Sequence, residues 1–183
     1  MATADLYRKI VDATDASCDA EHIHVLIDSD PAIPDRTASI LGRGPSALPE
    51  LEKCAGRLER AGADILMMPC NTAHFYYDAL RKATSLPILH MLRLTAGEIK
   101  RRGIGKVALL ATDGTIQTGI YSKLFDEEGI SYITPERDAQ AAVVDMIYSG
   151  VKAGKRDYNT AAIRRTLDRL MLQGASAFVL GCT

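Results

Sequence analysis

One stretch of sequence occurs twice in this chain, and both copies end in a cysteine. Residues 57 to 70 read RLERAGADILMMPC and residues 169 to 182 read RLMLQGASAFVLGC, with Arg, Leu, Gly, Ala and Cys at matching places. In each copy a helix end runs into a Gly turn and then into a short apolar run of strand character. The cysteine, Cys70 or Cys182, stands where that strand stops. A chain built on such a repeat is constrained to a duplicated fold made of helices layered on strands. The duplication would carry two thiols into equivalent positions, facing each other.

The rest of the sequence fits this constraint. Apolar runs rich in β-branched residues predict strands near 22 to 28, 64 to 69, 86 to 90, 105 to 111, 129 to 133 and 176 to 181. Helical patterns lie between them, near 3 to 17, 46 to 61, 73 to 84, 92 to 102, 117 to 128, 136 to 152 and 159 to 173. Such alternation is the signature of an α/β fold with parallel sheets covered by helices on both faces. A short strand such as DILMMP, apolar on both sides, suits a buried parallel sheet. With one copy of the repeat in each half, we expect two similar α/β lobes, residues 1–91 and 92–183, with the active site in the cleft between them. Ligands of open α/β sheets bind beyond the carboxyl ends of the strands, where both cysteines fall.

Composition narrows the function classes. A chain of 183 residues, 47% of them apolar, can bury a sizeable core. No apolar run approaches the roughly 18 residues that suggest a membrane span, and the opening MATADLYRKI lacks a signal-peptide core, so the cytoplasm is expected. The net charge of −1, and basic clusters such as Lys100-Arg101-Arg102 without interleaved aromatics, argue against a nucleic-acid partner. Four cysteines without CxxC spacing do not suggest a disulfide framework. Cys54 shares a helical face with Leu51 and Leu58 and reads as a packing residue, and Cys18 receives no role.

The sequence after Cys70 points to reactivity. Asn71 and Thr72 are good N-cap residues for the helical pattern that follows. A helix N-terminus offers free N–H groups that bind a carboxylate and favour a thiolate. An ordinary thiol, with a pKa of about 8.5, is only slightly ionised at neutral pH and needs such help to act as a base. Two like groups held close together discourage each other's ionisation, which yields one base and one acid. A base on one face of a carbon and an acid on the other is the arrangement that inverts a stereocentre. Positioned proton transfer contributes about a hundred- to ten-thousandfold, so the site must also stabilise charge on a substrate carboxylate. Asn71, Thr72, Thr112 and Thr115, clustered at predicted strand ends, are candidates for that task.

Five segments carry a family resemblance: IPDRT at 33 to 37, MPCNTAH at 68 to 74, LLATDGT at 109 to 115, GVKAG at 150 to 154 and GCT at 181 to 183. Together they make the chain similar to the cofactor-independent aspartate/glutamate racemase family over nearly its whole length, most of all to its aspartate branch. The resemblance implies that Cys70 and Cys182 are the acid/base residues of a racemase that interconverts L- and D-aspartate, or glutamate, without pyridoxal phosphate or metal. It places Arg36 and Lys152 near the side-chain carboxylate of a dicarboxylic amino acid, and Asn71, Thr72 and Thr183 near its α-carboxylate. Arginine suits the first role because its fork grips a carboxylate with two parallel bonds. The resemblance further implies a homodimer, a first strand ahead of ATADLY and a closing helix after Thr183.

Other readings share parts of this pattern. Decarboxylases and cis-trans isomerases of the same fold work with a single strand-end thiol, and two cysteines flanked by CNT and CT favour the racemase over them. A redox-sensing or non-catalytic protein would need the two sulfurs within disulfide reach. Cys70 and His74 stand at helical i, i+4 spacing, a metal-ligand spacing for which no third ligand is visible. His22, His24 and His90 read as strand or loop residues.

Overall fold

The computed structural model describes residues 2 to 182. In chain order its elements are α1 (Ala2–Ala13), α2 (Arg36–Ile40), α3 (Leu48–Arg60), β1 (Leu66–Met67), α4 (Tyr77–Ala83), β2 (Ile88–Leu89) and α5 (Met91–Arg101). There follow β3 (Lys106–Ala111), α6 (Asp113–Thr118), α7 (Ile120–Glu127), β4 (Ser131–Ile133), α8 (Arg137–Asp145), α9 (Ala161–Leu172) and β5 (Ala177–Gly181). Single 3-10 turns span Asp19–Glu21 and Thr72–Tyr76, and a π-helical stretch, Met146–Lys152, continues α8. Among the described residues no helix is long and apolar enough to cross a membrane.

The repeated sequence folds the same way twice. Gly62 after α3 and Gly174 after α9 both take left-handed φ angles, 88° and 93°. In the first copy Ala63 N–H donates to the Leu58 carbonyl (3.1 Å) and Gly62 N–H to that of Glu59 (3.1 Å). The second copy repeats this with Ala175 to Leu170 (3.0 Å) and Gly174 to Met171 (2.9 Å). These paired bonds are the Schellman closure of a helix, which needs a residue that tolerates positive φ. Each related pair of positions is separated by the same interval as Cys70 and Cys182. The closure turns the chain directly into β1 in one copy and β5 in the other.

The chain divides into two compact units, one running to His90 and the other spanning Met91–Cys182. In the first, β1 and β2 pair in parallel, Leu66 opposite Ile88 and Met67 opposite Leu89. Leu66, Ile88, Ala47, Ala55, Tyr76 and Leu80 form its core. In the second, β3 lies between β4 and β5, and all three strands are parallel. The two-residue period of β3 sorts its side chains onto two faces. Val107, Leu109 and Ala111 pack with Leu92, Ile99, Tyr121 and Phe125 from α5 and α7. Ala108 and Leu110 pack with Val143, Ile163 and Leu170 from α8 and α9. A strand buried on both faces reads as a continuous apolar run, as KVALLA does.

Several expectations need correction. No strand forms at 22 to 28: Ile23 and Ile27 are 63% and 50% exposed, and the segment is irregular. Instead of a ladder, ion pairs hold it, with the Arg57 guanidinium reaching Asp28 (2.7 Å) and Asp30 (3.0 Å). The DILMMP strand is not buried on both faces, since Ile65 and Met67 are exposed while Leu66 is buried. The helix expected at 117 to 128 starts earlier and breaks in two at Gly119, whose φ of 64° no continuous helix allows. The helix at 136 to 152 widens into the π stretch from Met146 onward. The helix expected at 3 to 17 stops at Ala13. The five-residue α2 lies outside the expected helices, and Asp35 caps its start by accepting from Ala38 N–H at 2.8 Å.

Candidate active site

The first unit's candidate residues gather at the carboxyl end of β1. Cys70 follows Met67 by three residues, is half-buried, and donates its backbone N–H to the Met68 carbonyl (2.8 Å). Asn71, Thr72 and His74, next in the chain, are polar and buried. The α-helix expected to begin here does not: Thr72–Tyr76 is a 3-10 turn, and α4 begins only at Tyr77. Asn71 already has helical backbone angles and makes no side-chain cap, so the capping expected of it is absent. What fixes the loop is His74, whose Nδ1–H donates to the Cys70 carbonyl at 2.9 Å. That bond accounts for the i, i+4 spacing of the two residues. The His74 ring also lies against Tyr77 and His90, with centroids 6.3 Å and 5.0 Å away.

Burial holds the His74 imidazole below the ordinary histidine range, against the opposing pull of the Cys70, Leu89 and Asn71 backbone. The unfolded chain titrates near the ordinary ~6.5. As pH falls through that value, the unfolded state takes up a proton that the folded state refuses. The stability supplied by neutral His74 is therefore present above ~6.5 and is lost as pH falls below it, levelling off at the lowered folded value. Urea midpoints at pH 7.5 and 5.5 should show a larger acid loss in the parent than in His74→Gln. Equal losses would mean that His74 does not carry this dependence.

Arg36 opens α2, and its Nη1 donates to the carbonyls of Pro34 (3.1 Å) and Ile33 (3.3 Å). The helix packs against the Thr72–Tyr76 turn, which brings the PDRT and CNT segments into one neighbourhood. Cys54 is buried in α3 but not among Leu51 and Leu58 alone. Arg57 Nη2 approaches its sulfur at 3.1 Å, and burial, reinforced by the Asp28 carboxylate, pushes the thiol up to about 11. Cys54 thus stays protonated and inert at neutral pH.

The second unit builds an analogous strand end. The register sets Gly181 opposite Ala111, so Cys182 and Thr112 leave adjacent parallel strands side by side. Cys182 is half-buried, against the core face formed by Ala108 and Leu110. Thr112 caps α6, its Oγ1 accepting from Thr115 N–H (3.4 Å) and lying 3.2 Å from Thr115 Oγ1. Both threonines are buried at the turn that follows β3. Gln140 Nε2, unnoticed in the sequence, secures the same turn by donating to the Ala111 carbonyl (3.0 Å) and to Asp113 Oδ1 (2.9 Å). Lys152 ends the π stretch, its ammonium 4.1 Å from the centroid of the Tyr148 ring. Thr183 lies outside the described residues.

Each unit thus holds a parallel sheet with a cysteine beyond the carboxyl end of one strand, the place where open α/β sheets of enzymes bind ligands. The chain belongs to the Asp/Glu/Hydantoin racemase family, whose pattern it matches over residues 1–183. It is 31% identical over 172 residues to the broad specificity amino-acid racemase RacX of Bacillus subtilis, covering 92% of this chain and 72% of that protein. Over 134 residues it is also 31% identical to the glutamate racemase of Corynebacterium glutamicum, covering 72% of this chain and 47% of that one. Among solved structures it resembles the aspartate racemase of Picrophilus torridus, with a TM-score of 0.82 and 27% identity over 99% of this chain and 75% of that chain. The mixed α/β fold with helix-covered parallel sheets matches that solved structure.

Proposed function

We propose that this chain racemises a dicarboxylic amino acid, aspartate in the first place, by proton transfer between Cys70 and Cys182 without a cofactor. The observation that carries the reading is the repeat. Two Schellman-closed helices run into two parallel strands that end in Cys70 and Cys182. In the proposal, one thiolate removes the α-proton from one face of the substrate and the other thiol supplies a proton to the opposite face. Each sulfur ends the turnover in the state its partner began in, so the enzyme is poised for the reverse reaction. Arg36 and Lys152 receive the side-chain carboxylate, while Asn71, Thr72 and Thr183 receive the α-carboxylate. Thr112 and Thr115, at the strand end beside Cys182, add hydroxyls to the groups that stabilise charge on the substrate carboxylate.

Membership of a racemase family supports the reaction, and relatives named for aspartate, glutamate and broad specificity support the substrate class. Aspartate and glutamate differ by one methylene, which a pocket discriminates by only ~1 to 3 kcal/mol, so activity with both is expected. The test is circular dichroism of each pure enantiomer incubated with the protein in D2O. The proposal expects decay of the signal to zero from either side, with deuterium entering the α-position. Decay without deuterium uptake would rule out proton transfer to and from the α-carbon.

A further inference from the structure

We propose that the hydroxyls of Ser39 and Tyr76 form a positioning device that sets the Arg36 guanidinium for the substrate's side-chain carboxylate; this rests on the racemase reading above. Helix α2 is only five residues long and none of its residues is fully buried. A helix that short has no stability of its own, and it meets the apolar core through the partly buried Ile40. Polar bonds fix its placement further. Asp35 caps it, and Ser39 Oγ lies 2.5 Å from Tyr76 Oη while accepting from Ala47 N–H at 2.9 Å. Tyr76 is a rigid anchor, because its ring belongs to the core around Leu66, Leu80 and Ile88. It also closes the 3-10 turn that begins two residues after Cys70. One hydroxyl pair therefore joins the helix that carries Arg36 to the turn that carries Asn71 and Thr72.

The bonds of Arg36 are consistent with such a role. Among the described residues both leave from Nη1, toward the carbonyls of Ile33 and Pro34. The Nε–Nη2 edge can still take a carboxylate through two parallel bonds, an arrangement sensitive to small displacements of the helix. A substrate without a side-chain carboxylate makes no use of that edge. Loss of the hydroxyl pair should therefore be felt by aspartate and not by alanine.

The experiment compares Tyr76→Phe and Ser39→Ala with Tyr77→Phe, which loses a different, part-buried tyrosine hydroxyl, one that donates to the Ile88 carbonyl. For each we would measure aspartate and alanine binding by calorimetry, and KM and kcat for racemisation. Tyr76→Phe and Ser39→Ala are expected to raise the aspartate Kd and KM about fivefold, the worth of one neutral hydrogen bond, with kcat within about twofold. Alanine values stay put, the double variant is no worse than the weaker single one, and Tyr77→Phe behaves as the parent. Should Ser39→Ala lose the fold, Tyr76→Phe, which keeps the buried ring, carries the test. An unchanged aspartate Kd in Tyr76→Phe, or equal losses for aspartate and alanine, would overturn the inference. A parent that binds aspartate without racemising it would overturn the racemase reading, while the Kd ratio still decides the role of the hydroxyl pair. A parent that does not bind aspartate overturns both.

Discussion

Replacing either Cys70 or Cys182 with alanine should cut racemisation by at least about a hundredfold, the lower bound for a positioned acid or base. The two variants should fail in mirrored ways. On the two-thiol proposal each retains a thiol for one face of the α-carbon, so each should still exchange the α-proton of a single enantiomer for solvent deuterium while leaving its configuration unchanged. The enantiomer that Cys70→Ala exchanges should be the one that Cys182→Ala leaves untouched. Neither loss should come from unfolding, because both thiols are half-buried and alanine removes only a sulfur. Cys54→Ala provides the contrast, as a buried thiol held protonated near Asp28 takes no part in proton transfer. Racemisation surviving within a few-fold in both strand-end variants would eliminate the two-thiol mechanism. Exchange of both enantiomers by one variant would show that a single thiol reaches both faces.

Gly181→Val is expected to lose about 1 to 3 kcal/mol of stability, the usual cost of overpacking a well-filled core. A Cβ at this position would lie 2.8 Å from the Ala111 Cβ, 3.0 Å from Leu109 Cδ1 and 3.3 Å from the Leu110 carbonyl oxygen. Two of these three neighbours belong to the β3 backbone or its first side-chain atom and cannot swing aside. Intrinsic preference works the other way, since valine favours strands over glycine by up to ~1 kcal/mol. A net loss therefore has to come from the close approach of β5 to β3. The damage should also reach the chemistry. Cys182 follows directly, and a misplacement of about 1 Å at a reacting group can cost about a hundredfold. Urea midpoints, with racemisation assayed on the folded protein, check both parts. A variant as stable as the parent would show that the strands have room to part.

Much of the fold could be read from the chain because the signals are local. The apolar run near 105 to 111 announces a strand, and β3 forms there, at Lys106–Ala111. Gly62 and Gly174 announce helix ends, and both close their helices with positive φ. The misreadings occur where a local pattern met a non-local competitor. His22 to Asp28 has the composition of a strand but no ladder partner, and Arg57 holds its end by ion pairs instead. Asn71 and Thr72 have the chemistry of caps, yet the chain enters a 3-10 turn there, with His74 bonded back to Cys70. The five residues of α2 give too short a period to detect, and the Ser39 bond that docks them reaches Tyr76, 37 positions along the chain.

The sequence by itself determined the α/β class, the duplication and the identity of the two strand-end thiols, because periodicity, glycine turns and repeated spacing are properties of neighbouring residues. Only the tertiary structure decided that Gly181 admits β3 and that Gln140 braces the turn after β3. It also decided that Arg57 reaches back to Asp28 and Asp30 and that the Arg36 helix is tied to the Cys70 loop through two hydroxyls. Those facts depend on which atoms come within ~3 Å across long separations in the chain, and hydrogen bonding and packing at that range are selective in a way that composition and spacing do not encode.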